Sequence, residues 1–448
     1  MWCQVAMVAE VKKAQKFRSR AHFYFEICIN RKRSLKLLRN LQIFLPFALG
    51  YFLSYLYRVI NAVLAPDLVA DMGLDASELG LLTSAYFITF AAFQLPLGVL
   101  LDRFGPRKIE AALLVIAACG AVAFAFAESI KGLILGRALI GLGVSACLMA
   151  AFKAFVVWFP REQLPRINGF QMAMGGMGAL AGTAPVEAAL IITDWRGVFM
   201  GLSLLTIAVA LAIFFVVPEN KKESRDLTFS DQIRGIGFIF KNYTFWRIAP
   251  WTSFSQASYL SIQGLWAGPW LRDVAGMDRT AVATTLMWVA VAMILGFIVT
   301  GTVAERLSRR KIPPMTVASW GMILFMFQLL LLIFEPVAWA GLVMVLFGFF
   351  GTSAILPYAV LSQSFPLKLS GRVNTALNLL AFLAAFSAQW GIGVIIGMWP
   401  VTETGGYSPA GYRVAFSIML VFQVLTAIWF YLSLPQSLTD GEEISDSH

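Results

Sequence analysis

Three side chains in the first long apolar segment have the types and spacing of an anion-binding face. Tyr51, Tyr55 and Arg58 lie at positions i, i+4 and i+7 in GYFLSYLYRVIN, so an α-helix would place them on one side. A cation deep in an apolar segment is costly and marks a functional site. We therefore predict a cation flanked by two phenols that binds an anionic group. The alternative is that Arg58 pairs with an acidic residue of its own helix bundle.

Polar and aromatic side chains in a second segment could complete such a site. The segment from Trp246 to Leu271 contains no arginine that would match Arg58. Four of its side chains share one helical face by their spacing and are predicted to contact the substrate: Gln256, Tyr259, Gln263 and Trp266.

Three further ionisable residues lie within apolar segments. Arg137 either lines the same cavity or braces the first segment. Lys153 is sixteen residues further on, which is about 160° around a helix from Arg137, so it is predicted to extend to the nearer membrane surface. Glu187 is the only carboxylate well inside an apolar segment. It could carry a coupling proton or brace its helix.

The composition shows which elements must position these side chains. Of the 448 residues 59% are hydrophobic and 13% are charged, and the mean hydropathy is +0.74. Soluble domains have about 45–50% apolar and about 25% charged residues, so this chain is predicted to be an all-α integral membrane protein. The apolar runs lack the alternation of β-barrel strands.

Apolar runs of about 20 residues, the length of a membrane-spanning helix, occur about twelve times. The six in the first half are Leu41 to Ala65, Leu79 to Leu101, Ile109 to Ala127, Gly132 to Phe159, Ile167 to Ile192 and Val198 to Val217. The six in the second half are Trp246 to Leu271, Ala281 to Val303, Met315 to Phe334, Val337 to Tyr358, Val373 to Trp399 and Val414 to Leu432.

The basic residues predict the orientation and the domain boundaries. They concentrate on one side of the twelve runs, so both termini are predicted to be cytoplasmic. Residues 1–40 carry ten basic and two acidic residues and form a tail suited to anionic lipid; the alternative is a poorly ordered or incorrectly started N-terminus. The predicted units are the tail (1–40), a six-helix bundle (41–217), a linker (218–245), a second bundle (246–433) and a C-terminal tail (434–448).

The sequence lacks the residue patterns of an enzyme. The four cysteines have no metal-ligand spacing, both histidines lie outside the apolar runs, and there is no nucleophile–base pair or phosphate-binding glycine loop. The net charge of +10 arises mostly in the N-terminal tail, which argues against a nucleic-acid site. We predict no enzymatic activity, no metal and no cofactor.

The two halves of the chain repeat each other. GVLLDRFGPRK (98–108) aligns with GTVAERLSRRK (301–311), and FPREQLPRIN (159–168) aligns with FPLKLSGRVN (365–374). A weaker match joins Trp195-Arg196 to Tyr412-Arg413, each at the start of the last span of its half. Three matches in the same order indicate a duplicated six-span bundle.

The first repeated stretch has the chemistry of a latch that can break and reform. Gly105 with Pro106 makes a sharp turn, and the bases hold the loop in the cytoplasm. Asp102 could pair with a base or a helix N-terminus across the two halves. The predicted gating residues are Gly98, Asp102, Arg103, Gly105, Arg107 and Lys108, with Glu305, Arg306, Arg309 and Arg310 in the second half.

These motifs resemble the major facilitator superfamily from Leu41 to about Leu434. The latch loop is similar to its signature loop, RALIGLG (137–143) looks like its second motif, and Gly178, Gly182 and Pro185 resemble its glycine–proline motif. The first span is similar to the organophosphate and organic-anion branch, in which Arg58 and Asn61 match a substrate-binding pattern. The resemblance implies twelve helices in two six-helix pseudo-repeats that rock around a central site.

The function predicted on this basis is secondary active transport of a small polar, anionic metabolite. The excess of deep cations over deep acids supports an anion. Proton-coupled uptake of an amino acid or another zwitterion, and antiport of drugs, remain alternatives within the same superfamily. A coupling proton or counter-anion is an expected partner, together with the lipid bilayer. The protein is expected to be a monomer in a plasma membrane, with the bacterial inner membrane favoured.

Overall fold

The computed structural model describes residues 39–159, 164–219, 237–335, 337–366, 369–402 and 405–433. These residues form helices joined by turns, without a β-strand among them. The all-α fold predicted from the sequence is therefore confirmed. Residues 1–38 of the predicted N-terminal tail, residues 220–236 of the predicted linker and the predicted C-terminal tail lie outside the described residues.

The helices of the first half follow the order of the predicted spans. They are α1 (Arg39–Val59) and α2 (Asn61–Met72), α3 (Ala76–Phe104), α4 (Pro106–Ala125), α5 (Ile130–Val144), α6 (Cys147–Trp158), α7 (Leu164–Ala181), α8 (Ala184–Ala189) and α9 (Trp195–Val216).

The helices of the second half repeat this order after a short helix α10 (237–241). They are α11 (Tyr243–Ser261), a π-helix (Ile262–Trp266), α12 (Ala267–Asp273), α13 (Arg279–Ser308), α14 (Pro314–Ile333), α15 (Ala340–Phe350), a 3₁₀ turn (Gly351–Ile355), α16 (Leu356–Gln363), α17 (Ser370–Ile396) and α18 (Pro409–Leu432).

Several of these helices, alone or joined end to end, are long and apolar enough to cross a membrane. In the described part of the chain nine candidate spans meet that requirement, and the bent pair α1 and α2 would make ten. The predicted fifth and seventh spans are helical as well, as α7 with α8 and α11 with α12, but they do not reach the same combination of length and hydropathy. The count of twelve crossings therefore stays a prediction for these two.

Several predicted spans are interrupted where the sequence suggested continuous helices. The axis bends by 47° between α1 and α2, directly after Arg58. Pro66 follows this bend, and its missing N–H leaves the carbonyl of Ala62 without its helical donor. The fourth span breaks between Val144 and Cys147, and the seventh passes through a π-helix. Such breaks are frequent at functional sites.

Glycines allow the helices of the first half to approach closely. A methyl group added at Gly143 of α5 would collide with the backbone of Ala117 on α4, and one added at Gly141 would collide with Tyr86 on α3. Small residues at such contacts are typical of helix association in membranes. The RALIGLG stretch thus has the close-packing role that the resemblance implied.

The loops divide between two sides of the molecule. The terminal side, as we call it, carries the described chain ends at 39 and 433 and the turns after α3 and α13. The opposite side, which we call distal, carries the loops after α2, α8, α12 and α17. The terminal side corresponds to the predicted cytoplasmic side.

The repeat is visible in matching contacts on the distal side. In the first half, Asp71 accepts a hydrogen bond from Trp195 Nε1 at 3.2 Å. In the second half, Asp273 accepts one from Tyr412 at 2.9 Å. The weak Trp195 and Tyr412 match in the sequence therefore has a structural reason, since each aromatic ties the last span of its half to the first.

Burial and the nearby Asp273 carboxylate raise the pKa of Tyr407, in the adjoining loop, to about 12.

Candidate functional site

Arg58 lies in an aromatic enclosure formed by both halves of the molecule. Its Cζ is 4.4 Å from the ring centroid of Tyr55, 5.6 Å from that of Phe90 and 5.9 Å from that of Tyr86. Phe382 of α17 closes the enclosure from the second half, with its centroid at 5.3 Å. The side chain is 6% exposed, so the rings and not water surround the guanidinium group.

The predicted face of α1 is formed as the spacing indicated. The Tyr51 and Tyr55 rings pack edge to face with centroids 5.2 Å apart. The Tyr51 hydroxyl donates to Met172 Sδ of α7 at 3.7 Å. A side chain at Gly175 would collide with both tyrosine rings, so glycine is needed on α7 at this contact. Both phenols therefore stand beside Arg58, next to the neighbouring span.

Tyr86 joins Arg58 to a second buried cation. The Cζ of Arg137 is 5.4 Å from the Tyr86 centroid, and Arg137 is 0% exposed. Its Nη1 donates to the carbonyl of Tyr57 at 2.8 Å. The sequence left two roles open for Arg137, lining the cavity or bracing the first span. The hydrogen bond to Tyr57 corresponds to the second role. Among the described residues no carboxylate forms an ion pair with Arg58 or Arg137.

The second-half candidates lie on the far side of the enclosure, around the π-helix. Gln263 Nε2 lies 3.6 Å from Met293 Sδ, and Trp266 Nε1 donates to the carbonyl of Gln389 at 3.0 Å. The buried Tyr259 hydroxyl has no hydrogen-bond partner. Gln256 is half-buried, nearer the terminal side. The π-helix shifts Gln263 and Trp266 relative to the regular spacing that the sequence suggested.

Asn61 has a different environment from the one that the resemblance implied. Its Nδ2 donates to Thr83 Oγ1 at 3.0 Å, and the residue is 0% exposed. The Nδ2 group therefore ties α2 to α3, whereas Oδ1 has no hydrogen-bond partner, and the role of Asn61 as a substrate ligand stays a prediction.

Three residues of this region were not found from the sequence. They are Tyr86 on α3, Phe382 on α17 and Tyr358 on α16, whose hydroxyl donates to Asn378 Oδ1 at 2.8 Å. Gln389 of α17, a candidate for interhelical hydrogen bonding by its residue type, lies in the same region. Both side-chain polar atoms of Gln389 are buried without a partner. Nothing in the spacing of these residues distinguishes them from ordinary packing side chains, because their proximity to Arg58 depends on how the two halves meet.

An ion cluster joins the halves on the distal side. Arg279 at the start of α13 donates to both oxygens of Asp67 on α2, at 3.0 and 2.6 Å. Its Nε also donates to Glu187 Oε1 of α8 at 2.5 Å. Glu187, the predicted proton carrier, is therefore an ion-pair partner of the other half in this conformation.

Close backbone contacts also join the halves on the distal side. A side chain at Gly268 of α12 would collide with the carbonyl of Ala62 on α2, and one at Gly393 of α17 would collide with that of Ala76 on α3. The Phe90 and Phe382 rings stack with centroids 4.3 Å apart. These contacts close the distal route to Arg58.

The described side chains of the first-half latch loop contact their own half and the start of the predicted linker. Gly105 has φ 79° and Pro106 begins α4, so the predicted turn is present. Arg107 Nε donates to the carbonyl of Phe214 at 2.7 Å, and Lys108 pairs with Glu219. The Arg103 guanidinium stacks on Phe104. The side chain of Asp102 lies outside the described residues.

The corresponding loop of the second half is more exposed. Glu305 pairs with Arg309 one helical turn away at 2.7 Å, and Arg306 and Arg310 are exposed. Side chains added at Gly98 or Gly301 would meet open space. The described basic side chains of both loops thus make no contact across the halves in this conformation.

The fold and this site define a multi-pass membrane transporter. The chain belongs to the major facilitator superfamily, whose model, described as Major Facilitator Superfamily, matches residues 47–388. In the part of the chain that the structure describes, no group of three His, Cys, Asp or Glu side chains could hold a metal ion. The family consists of transporters, in agreement with the prediction that the chain is not an enzyme.

Curated relatives and solved structures agree with this family. The chain is 26% identical over 277 residues to the probable sulfoacetate transporter SauU of Cupriavidus necator, a match that covers 58% of this chain and 64% of that protein, slightly less than two thirds of its length. It is 24% identical over 422 residues to the hexuronate transporter of Escherichia coli K12, covering 88% and 94%.

Two solved structures show the same fold at low sequence identity. A bacterial homologue of the human lysosomal transporter Spinster, in an inward-facing and occupied conformation, aligns with a TM-score of 0.71 at 17% identity, over 87% of this chain and 96% of that one. A D-xylose–proton symporter aligns with a TM-score of 0.71 at 18% identity, over 88% and 98%.

Proposed function

We propose that this major facilitator protein is a secondary active transporter that moves a small polar organic anion across the membrane. The observation that carries the proposal is the pair of buried guanidinium groups, Arg58 and Arg137, without a carboxylate partner among the described residues. Relatives named for transport of sulfoacetate, hexuronate and L-galactonate, all anions, support the same substrate class.

An anionic substrate would supply the charge that the site lacks. A buried cation without a charged partner costs several kcal/mol of desolvation free energy. The surrounding aromatic faces offset part of this cost, by about 2 kcal/mol for a desolvated contact, but they do not neutralise the charge. Arg58 is the cation at the contact between the halves, and its Nε has no hydrogen-bond partner. A carboxylate or sulfonate at this group would gain a charge-assisted, bidentate contact.

Neutral polar groups would hold the rest of the substrate. In the proposed site, Arg58 binds the charged end between Tyr51 and Tyr55, and Arg137 holds the first span in place. The side chains of the second half that would receive the polar tail are Gln256, Tyr259, Gln263 and Trp266. The absence of a second arginine there favours a substrate with one charged end.

Transport would proceed by alternating access, in which the two halves rock about the site. The conformation described has its distal side closed by Arg279, Asp67 and Glu187. Breaking this cluster would open the distal side, and the latch loops from Gly98 to Lys108 and from Glu305 to Arg310 would then close the terminal side. A proton or a counter-anion would supply the driving force.

The proposed location is a bacterial inner membrane with both termini in the cytoplasm, and the protein is expected to act as a monomer. The basic residues of the tail and of the latch loops support this orientation. The bacterial relatives support the membrane.

A ligand panel with a matched variant tests the substrate class. Thermal unfolding of the detergent-purified protein is measured with small carboxylates, sulfonates, amino acids and lipophilic cations, for the parent, Arg58→Gln and the exposed control Arg306→Gln. A ligand bound only by the native state raises the unfolding temperature by mass action. We expect one or more organic anions to stabilise the parent and Arg306→Gln but not Arg58→Gln.

The same panel contains the outcomes that would contradict the proposal. Stabilisation of the parent and Arg58→Gln alike by lipophilic cations would indicate drug antiport and a structural role for Arg58. Stabilisation by amino acids alone would indicate a zwitterion transporter.

A further inference from the structure

Glu110 is a buried carboxyl group that the proposed substrate site does not use. It lies in the second turn of α4, is 0% exposed, and neither of its carboxyl oxygens has a hydrogen-bond partner. Asp273, another nearly buried carboxylate, differs from Glu110 in having partners. It pairs with Arg272 and accepts a hydrogen bond from Tyr412. The polar group beside Glu110 is the Cys147 thiol, a weak donor. An ionised carboxylate is costly where no cation or strong donor stabilises it, so the Glu110 site favours a bound proton.

Two neighbouring helices enclose this carboxyl group. A methyl group added at Gly50 of α1 would collide with Glu110 Oε1 and would also contact the Cys147 sulfur of α6. The absence of a side chain at Gly50 therefore makes the space that Glu110 occupies. Pro106 starts α4 only four residues before Glu110, which is about 6 Å of helix, so the group lies near the terminal side.

Among the described side chains, Cys147 is the titratable group that interacts with Glu110. The side chain of Asp102, on α3, lies outside the described residues. The other titratable or charged side chains lie on α4 and the helices packed against it. They are Arg39, Tyr51, Tyr55, Tyr57 and Arg58 on α1, Glu78, Tyr86 and Arg103 on α3, Arg107, Lys108 and Cys119 on α4, Lys131 and Arg137 on α5, Lys153 on α6 and Arg196 on α9.

The carboxyl group packs against the helix that carries Arg58. Gly50, which covers Glu110, is eight residues before Arg58 on the same helix, a rise of about 12 Å. The Cys147 thiol is within electrostatic range of both Glu110 and Arg58. Two unit charges about 12 Å apart at an effective dielectric constant of about 20 change a binding constant about tenfold.

We propose that Glu110 is a proton-binding site whose occupancy is coupled to the anion at Arg58. The inference rests on the proposed function, since it requires an anion at Arg58. An unoccupied Arg58 stabilises the ionised form of Glu110 by attraction, whereas a bound anion neutralises Arg58 and repels the carboxylate. Anion binding therefore favours protonation of Glu110, and by reciprocity protonation of Glu110 strengthens anion binding.

The pH dependence of anion affinity tests this coupling. The dissociation constant of an anion from the panel, chosen to stay fully ionised, is measured by calorimetry between about pH 6 and pH 10. The proteins are the parent, Glu110→Gln, Cys147→Ser and the exposed control Glu128→Gln. We expect the parent, Cys147→Ser and Glu128→Gln to lose about tenfold in affinity as the pH rises. Glu110→Gln should keep the low-pH affinity throughout this range.

Three results would overturn the inference, and they differ in what they say of the proposed function. An anion that binds the parent and Glu110→Gln with the same pH dependence removes the coupling and leaves anion transport intact. An absence of anion binding to the parent at every pH removes both. Loss of the pH dependence in Cys147→Ser alone would assign the proton to the thiol and overturn the role of Glu110.

Infrared spectroscopy provides a readout that does not need a folded Glu110→Gln variant. The carbonyl stretch of a buried protonated carboxyl group is recorded for the parent protein across the same pH range, with and without the anion. We expect a band that disappears at high pH and persists to higher pH when the anion is present. A band that does not respond to the anion would overturn the coupling.

Discussion

At the residue scale, the site is defined by an arginine that is surrounded by rings instead of acids. Arg58 contacts four aromatic rings from two halves, and its Nε has no hydrogen-bond partner. A planar guanidinium group suits both interactions, since its faces stack on aromatic rings while its edge binds a carboxylate or sulfonate. The enclosure therefore orients the group without neutralising it.

The unpaired hydroxyl of Tyr259 leads to a prediction about affinity. Removing it in Tyr259→Phe should leave the stability of the empty protein unchanged or slightly higher, because the buried hydroxyl has no partner to lose. If the hydroxyl bonds to the substrate, the affinity should fall by about 1 kcal/mol, or roughly fivefold. Calorimetric titration of both proteins with the anion found in the panel measures the change.

Tyr57→Phe is the matched control for this substitution. The Tyr57 hydroxyl bonds to Thr206 at 3.0 Å within the first half. Its removal should lower the free energy of unfolding by about 1 kcal/mol and leave the anion affinity unchanged. Equal affinities for Tyr259→Phe and the parent would place Tyr259 outside the substrate site.

At the element scale, regular helix geometry accounts for what the sequence could predict. The spacing of Tyr51, Tyr55 and Arg58 gave their common face, and Gly105 with Pro106 gave the turn after α3. These features depend on residues close together in the chain.

The features that were missed depend on tertiary contacts. The enclosing Tyr86 and Phe382 come from other helices, and Glu110 is buried because Gly50 of another helix leaves room for it. The bend after Val59 and the π-helix at Ile262–Trp266 are irregularities that an ideal period of about 3.6 residues does not represent.

The close contact of α12 with α2 leads to a prediction about conformation. Gly268→Ala should favour a distal-open state, because the added methyl group would collide with the carbonyl of Ala62. Spin labels on cysteines introduced at the exposed positions Ile191 and Val401 report the distance between the halves on the distal side. We expect the population at long distance to increase in Gly268→Ala.

Gly264→Ala, one helical turn earlier, is the control for crowding in this segment. A methyl group there would lie 3.5 Å from the carbonyl oxygen of Arg58, an ordinary contact, so the distance distribution should stay as in the parent. A distribution for Gly268→Ala that also matches the parent would show that α12 can move aside without opening the distal side.

At the scale of the whole molecule, the contacts between the halves are unequal on the two sides. The distal side has an ion cluster, stacked rings and glycine contacts, whereas the described latch-loop side chains on the terminal side bond within their own halves. In the alternating-access cycle that we propose, this structure would be the state whose distal side is closed. The strength of these distal contacts, relative to the contacts that the latch loops would make on the terminal side, would set the balance between the distal-closed and distal-open states.

Removal of the central cation of the distal cluster tests this balance. Arg279→Gln leaves Asp67 and Glu187 facing each other without a cation. The two carboxylates lose their attraction to the second half, and Asp67 loses its bidentate contact with Arg279. Because the Arg279 side chain is 43% exposed, solvent screens the pair, and its loss costs about 1 kcal/mol, enough to shift a two-state population roughly fivefold. The labels at Ile191 and Val401 should report a larger distal-open population than in the parent.

The exposed pair of Arg413 and Glu335, at 3.1 Å on the same side but within the second half, provides the comparison. Arg413→Gln removes the same charge at a similar depth without touching the contact between the halves, so it should leave the label distances as in the parent. If Arg279→Gln also leaves them unchanged, the ion cluster is not what holds the distal side closed. The closure would then belong to the ring and glycine contacts of α2, α3, α12 and α17, which the Gly268→Ala experiment addresses directly.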